Sequence, residues 1–467
     1  MRVVIVGAGM VGTILARHLI DEKHEVSLVE QDESRARHAS NRLDCLVVHG
    51  SGNNIHTLEE AGIGRADALV AVTQSDELNL IICGLVEARY PRVKKIARVR
   101  NEEYDELTRG NNRALGIDHF VDPDIEAAQS VVSALAHGAL GDVLSFGDSP
   151  FELGTIPIHA QSPFCGIPVK QFRSLAKAEV LLTMVHRAEE TLIPSGTTTL
   201  LEGDRVYVLG TQDQIKKVYE LNGQKYRSLK KIAIIGGSRV GILTIRSLLE
   251  KSATPRRGTF FSWFFRSFSQ KNLLLIDKDY EVCKRVAAQF PQILVLNEDI
   301  SDETFVSEEG LHDLDAVVTT TENQELNIIT ALYLKNRGVD RAIALVGSPG
   351  YAAIARHLGI DVIVPMKSVV VDSILTFLLG EGINRFHSLG DGSVEVMELH
   401  LGDHSELIGT RLDVFGLVSG ALILYVQRGK ETFIPQGNYE FKAQDRIVVL
   451  AKKGFEQDLK RLFGHRS

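Results

Sequence analysis

The chain opens on a short apolar run, Val3-Val4-Ile5-Val6, that breaks at the turn Gly7-Ala8-Gly9-Met10-Val11-Gly12 before helical spacing begins. Such a run is too short for a signal-peptide core and reads as a buried strand feeding a helix. The pattern returns much later as Ile232-Ala233-Ile234-Ile235 followed by Gly236-Gly237-Ser238-Arg239-Val240-Gly241. More of the first half recurs in order. Ala66-Asp67-Ala68-Leu69-Val70-Ala71-Val72-Thr73 with Asp76-Glu77-Leu78-Asn79 is matched by Leu314-Asp315-Ala316-Val317-Val318-Thr319-Thr320-Thr321 with Gln324-Glu325-Leu326-Asn327. Lys95-Ile96-Ala97-Arg98-Val99 is matched by Ala342-Ile343-Ala344-Leu345-Val346, and Gly116-Ile117-Asp118 by Gly359-Ile360-Asp361. Strands alternating with helices, twice over, predict two Rossmann-like doubly wound parallel sheets in tandem.

Each α/β unit is followed by alternating apolar strands with Pro/Gly turns, which predict a small β-rich α+β domain ending in a helix. Leu192-Ile193-Pro194-Ser195-Gly196 leads to Gly203-Asp204-Arg205-Val206, and Phe433-Ile434-Pro435-Gln436-Gly437 leads to Gln444-Asp445-Arg446-Ile447. The expected domains are 1–122, a connecting helix 123–147, 148–222, then 229–365, a second connecting helix 366–388, and 389–467. Residues 222–228 form the linker between halves. The connecting segments, around Ile125 to Leu140 and Val369 to Leu379, are apolar enough to bury and to transmit a change in domain orientation.

At 467 residues the chain is too long for one core. A net charge of −8 argues against a nucleic-acid partner, which needs a basic face. No apolar run reaches the length of a membrane span, so work at a membrane would pass through a partner. The four cysteines (Cys45, Cys83, Cys165, Cys283) are far apart and read as reduced core residues rather than metal ligands.

The first glycine turn carries a dinucleotide fingerprint. Gly7 permits the tight turn, Gly9 lets backbone approach a pyrophosphate, and Gly12 lets helix and strand pack closely. Ala8, Met10 and Val11 complete the turn, and the helix N-terminus offers free N–H groups and positive dipole. Glu30, ending Val26-Ser27-Leu28-Val29-Glu30, would accept from the adenosine ribose hydroxyls and favour NAD(H) over NADP(H). Thr73 and Gln74, at the end of the fourth strand, and Arg98, at the end of the fifth, belong to the same site if the fold is right. Arg98 would pair with phosphate oxygens, its alternative being a surface ion pair.

The second copy departs from this pattern. Its candidate residues are Gly236, Gly237, Ser238, Arg239, Val240 and Asp277, with Ser238 in place of the middle glycine and Leu345 in place of Arg98. The serine places a side chain against an approaching pyrophosphate, so ligand binding and a structural pseudo-site both stay open. The long spacing to Asp277 is explained by an insert, 252–271, rich in aromatics and arginine. That insert fits contact with a partner or membrane, or a loop folded back on its own domain.

No acid/base pair, Ser/His/Asp arrangement, HExxH or phosphate-loop lysine accompanies these turns, so a sensor is expected rather than an enzyme. An NAD-dependent oxidoreductase with an unrecognised substrate site is the alternative. The fourfold order of motifs closely resembles the TrkA family of tandem RCK/KTN proteins. That resemblance implies a cytosolic regulatory subunit of a Trk-type potassium-uptake system, peripheral on the cytosolic face of the inner membrane. It implies a homo-oligomeric ring of dimers gating a TrkH/TrkG-like potassium-translocating subunit, with NAD(H), ATP or ADP as the ligand. The implied ligand positions are Gly7 to Val11, Glu30, Thr73, Gln74 and Arg98.

Overall fold

The computed structural model describes residues 1–104, 114–138, 143–146, 149–188, 190–223, 229–253, 270–302, 309–379, 383–389, 393–402, 405–413, 420–429 and 431–463. Most of the linker and of the aromatic insert lie outside these residues.

The first α/β domain is built from β1 (Arg2–Val6), α1 (Met10–Asp21), β2 (Glu25–Glu30), α2 (Glu33–Ser40), β3 (Leu46–His49), α3 (Ile55–Glu60), β4 (Ala68–Ala71), α4 (Asp76–Arg89), β5 (Lys94–Arg98) and β6 (His119–Val121). Four of five residues in β1 and all of β4 are buried, as strands covered on both faces must be. They form one sheet in the order β3-β2-β1-β4-β5-β6, with β1 parallel to both β2 and β4. The strand order reverses between β1 and β4. Ligands of open α/β sheets bind at that switch point, beyond the carboxyl ends of the strands.

The connecting helix α5 spans Pro123–Ala136. A small antiparallel domain follows, of β7 (Val143–Ser145), β8 (Phe151–Pro157), α6 (Val169–Ala176), β9 (Leu181–Arg187), β10 (Glu190–Leu192), β11 (Arg205–Thr211) and α7 (Gln212–Leu221), its sheet ordered β10-β9-β11-β8-β7. The second α/β domain comprises β12 (Ile232–Ile235), α8 (Arg239–Ala253), β13 (Leu273–Asp277), α9 (Tyr280–Gln289), β14 (Leu294–Asn297), β15 (Ala316–Thr319), α10 (Gln324–Asn336), β16 (Arg341–Val346), α11 (Pro349–His357) and β17 (Val362–Pro365). Its sheet, β14-β13-β12-β15-β16-β17, repeats the first strand for strand. A second connecting helix, α12 (Met366–Leu378), leads to β18 (Ile383–Leu389), β19 (Val394–His400), β20 (Ala421–Arg428), β21 (Glu431–Phe433), β22 (Arg446–Lys452) and α13 (Glu456–Leu462). The order β18-β19-β22-β20-β21 is the first small sheet again.

The repeated Asp-Arg motif has a structural task. Buried Asp204 accepts from Arg187 Nε and Nη2 at 2.7 Å and from the Leu201 N–H at 2.7 Å. Asp445 does the same with Arg428 at 2.8 Å and the Lys442 N–H at 2.8 Å. Burial opposes ionisation of Asp445, but the Arg428 and Tyr439 hydrogen bonds outweigh it and hold its pKa below the ordinary value. Each carboxylate pins the loop before its last strand.

The compact units do not follow chain order. One consists of residues 1–126 and 367–467, the other of 127–366. In the first unit α12 buries Val370, Val371, Ile374 and Leu375 in one apolar cluster with Val3, Ile5, Ile96 and Val121 of the first parallel sheet. In the other, α5 buries Ala127, Val131, Val132 and Leu135 with Ile232, Ile234, Leu275 and Val318 of the second. Each connecting helix thus covers the sheet of the opposite copy.

Candidate functional site

At the switch point of the first sheet, Gly7 leaves β1 with φ +110, a left-handed conformation that side chains rarely adopt. A Cβ on Gly12 would sit 2.0 Å from the Gly7 carbonyl oxygen, so the close packing of α1 on the turn requires glycine there. Gly9 is different. Its backbone is ordinary, with φ −66 and ψ −179, and a Cβ on it would meet nothing within 4 Å. The fold has no need of that glycine. It lines an open cleft together with Gly7, Glu30, Thr73 and Gln74. Gly9 is also the N-cap of α1 and makes no side-chain cap, so the first-turn N–H groups of Met10, Val11 and Gly12 face the turn without a side-chain acceptor.

Glu30 ends β2 and is buried, yet both its oxygens are held. Oε2 accepts from the Ala8 N–H at 2.7 Å and Oε1 from the Asp32 N–H at 3.0 Å. The carboxylate therefore fixes the glycine turn, and each oxygen keeps a lone pair for a further donor. Thr73 is braced rather than free. Its N–H and hydroxyl both donate to Asn79 Oδ1, at 2.9 and 2.7 Å, while Asn79 Nδ2 donates to the Arg98 carbonyl at 2.8 Å. Asn79, fully buried, ties the ends of β4 and β5 into one wall.

Arg98 stands one contact behind that wall instead of lining the cleft. Nη1 donates to the Thr73 carbonyl at 2.9 Å, and its buried Nε finds no acceptor among the described residues. Burial pulls the guanidinium pKa down and Arg100 adds to this, against the attraction of Asp76, Asp124 and Asp122. Arg35, Gln31, Gly50 and Gly52 also line the cleft and were not singled out in the sequence. Only the recurrence of Asn at positions 79 and 327 could have flagged the brace.

The second copy reproduces the frame. Gly236 has φ +102, and a Cβ on Gly241 would lie 2.3 Å from the Gly236 carbonyl oxygen. Asp277 Oδ2 accepts from the Gly237 N–H at 2.6 Å and Oδ1 from the Asp279 N–H at 2.8 Å, as Glu30 does in the first. The insert has not displaced the acid. Asn327 braces Thr321 and the Leu345 carbonyl just as Asn79 does its own wall. Ser238, however, was expected to project toward the ligand, and its hydroxyl instead donates back to the Thr320 carbonyl at 2.5 Å. Arg239 and Val240 begin α8, with Val240 buried in the domain core.

Comparison with known proteins decides the kinship. The TrkA-N domain model matches residues 3–123 and 264–365, and the TrkA-C domain model matches 153–223 and 396–464. The chain belongs to the TrkA family. Among TrkA relatives, "Trk system potassium uptake protein TrkA" of Azorhizobium caulinodans is 28% identical over 99% of this chain and 98% of its own length. "Trk system potassium uptake protein TrkA homolog 1" of Methanosarcina mazei is 28% identical over 99% of this chain and all of its own. Of solved structures, "Crystal Structure of the GsuK RCK domain" superposes with a TM-score of 0.56 at 18% identity, covering 100% of this chain and 95% of that one. "GsuK channel bound to NAD" gives 0.55 at 19% identity, covering 100% of this chain and 79% of that one. These likenesses show that the tandem TrkA fold is shared. No helix among the described residues is long and apolar enough to cross a membrane.

Proposed function

We propose that this TrkA-family chain is a nucleotide-sensing regulatory subunit of a potassium-uptake system, binding NAD(H) in the first cleft and gating a membrane potassium-translocating partner. The observation that carries the ligand reading is Gly9: a residue without a side chain, at a position where the fold leaves room for one, on the wall of the cleft. The names of the full-length relatives supply the uptake system.

The residues present fit a dinucleotide. Backbone N–H groups at the start of α1 would take the pyrophosphate, and the spare lone pairs of Glu30 would take ribose hydroxyls. Arg98 would exchange the neutral Thr73 carbonyl for a charged phosphate oxygen. ATP or ADP shares the adenosine and phosphate groups and would use the same contacts. The bound ligand supplies charge and shape, and no chemistry on it is required.

A route outward begins at the same wall. Beyond Arg98, the N–H groups of Arg100 and Asn101 donate to Asp76 at 2.8 and 2.7 Å, and Arg100 Nε donates to Asp124 at 3.2 Å. Asp124 is buried in the first turn of α5. A ligand that draws on Arg98 therefore pulls on a strand end tied to the connecting helix. It biases domain orientation only by its preference for one arrangement, about 1–3 kcal/mol in typical couplings.

The test is co-expression with a TrkH/TrkG-like subunit in cells that lack their own potassium uptake. Rescue of growth at limiting potassium, lost in Glu30→Ala, is the expected result. Co-purification without any effect of Glu30→Ala would remove the nucleotide from the account, and sustained NADH oxidation by the purified chain would revive the oxidoreductase alternative.

A further inference from the structure

The two glycine turns differ in what closes them. In the first, α1 has no side-chain cap, and nothing occupies the space beside Gly9. In the second, Ser238 Oγ lies 3.4 Å from the Gly241 N–H as its acceptor, and donates its own proton to the Thr320 carbonyl at 2.5 Å. A serine accepting from the third helical N–H is the ordinary side-chain cap of a helix start, and it satisfies a donor that an anion would otherwise meet. Buried Thr320 adds a second clasp, its hydroxyl donating to the Gly236 carbonyl at 2.9 Å. The matching residue in the first copy is Val72, which has no hydroxyl.

Charge changes in the same direction. The ladder aligns Arg98 with Leu345, since Ala97 pairs with Ala71 and Ala344 with Thr319. Gly50, whose N–H donates to the Glu30 carbonyl, corresponds to Glu298, whose N–H donates to the Asp277 carbonyl. Counting from the turn acids, Arg35 corresponds to Val282, which packs so close to Gly237 that a Cβ there would lie 2.4 Å from its Cγ1. Gln74 corresponds to Glu322. Arg98 and Arg35 are lost and Glu298 and Glu322 gained, while Lys278 and Arg239 stand where the first copy has Gln31 and Met10.

We propose that the second copy is a self-liganded form of the first: Ser238 and Thr320 supply from within the chain the clasp that a bound pyrophosphate supplies to the first turn, so the full chain binds one dinucleotide, not two. The inference rests on the reading of the first cleft as a dinucleotide site. It assigns the second domain a fixed, ligand-independent state, against which the first domain moves when nucleotide binds and leaves.

The experiment converts one turn into the other. Full-length wild type, Gly9→Ser and Ser238→Ala are titrated with NADH by calorimetry, and the melting temperature of each is measured with and without NADH. Wild type is expected to bind one NADH per chain and to melt higher with it. Gly9→Ser, whose hydroxyl can reach the Val72 carbonyl as Ser238 reaches that of Thr320, should bind none. It should melt at or above the wild-type temperature without ligand, and NADH should no longer raise it. Ser238→Ala should still bind one NADH and melt a few degrees lower, through loss of the cap. Two NADH per chain in wild type, or one retained in Gly9→Ser, would overturn the inference. No binding by wild type at all would sink the first-cleft reading instead, while Ser238→Ala would still report on the clasp through its melting temperature. An unchanged melting temperature there would overturn the clasp.

Discussion

The two parallel-sheet domains share a strand order, a left-handed glycine after the first strand, an acid on the glycine-turn N–H and an asparagine brace. They differ at Gly9 and Ser238, Arg98 and Leu345, Gly50 and Glu298. Positions that agree are those the backbone dictates: the tight turn, the helix start where a Cβ would lie only 2.0–2.3 Å from the turn's carbonyl oxygen, the buried amide between two strand ends. The positions that differ lie on the cleft or one contact behind it. A duplicated chain therefore carries its own control, because what the fold demands survives in both halves.

The largest effect belongs to the shared features. Asp445→Ala strips the buried anchor from Arg428 and a backbone N–H, and should cost on the order of 3 kcal/mol in urea unfolding. Asp204→Ala should behave alike, and a loss in only one copy would break the equivalence. Next, Asn79→Ala and Asn327→Ala should each cost about 2 kcal/mol by leaving buried donors and acceptors unmet, but only Asn79→Ala should also weaken NADH. Arg98→Leu imports the second copy's own residue. It should lower NADH affinity by about tenfold with little change in the urea midpoint, because losing one charge-assisted contact costs roughly that much.

Acid stability separates the two β-rich domains. Glu152 and Glu395 hold the same place beside the first residue of β8 and β19. Glu152 has a local partner, His137 Nε2 at 2.5 Å, whereas Glu395 lies 3.6 Å from His18 Nε2 on α1 of its unit. Burial, with Lys453 and His24 also unfavourable and Asp21 opposing, lowers the His18 pKa to about 4. The unfolded chain then binds more protons than the folded one below the ordinary histidine value. Stability should be intact above about pH 6.5 and fall as pH drops toward 4. His18→Gln should flatten that fall, as read from melting temperatures across the range.

Much of this was legible in the sequence. Period and order gave both sheets, because strands buried on two faces read as short apolar runs and the glycine turns punctuate them. Asp277 could be matched to Glu30 across the insert for the same reason: the acid must end the second strand wherever that strand begins. The exchange of connecting helices was not legible. Apolar faces on α5 and α12 show that both must be buried, but not which copy's sheet covers them. The position of Arg98 behind Thr73, and the inward turn of Ser238, depend on hydrogen bonds between elements distant in sequence. A serine in a glycine fingerprint reads as an obstruction, while in the folded chain it is a cap.

The most direct measurement of the central claim is calorimetric titration of NADH into the full chain and into Gly9→Ala. A Cβ at position 9 meets nothing within 4 Å, so the variant should fold and melt as wild type does. One NADH should bind per wild-type chain and none to the variant. Equal binding by both would contradict it.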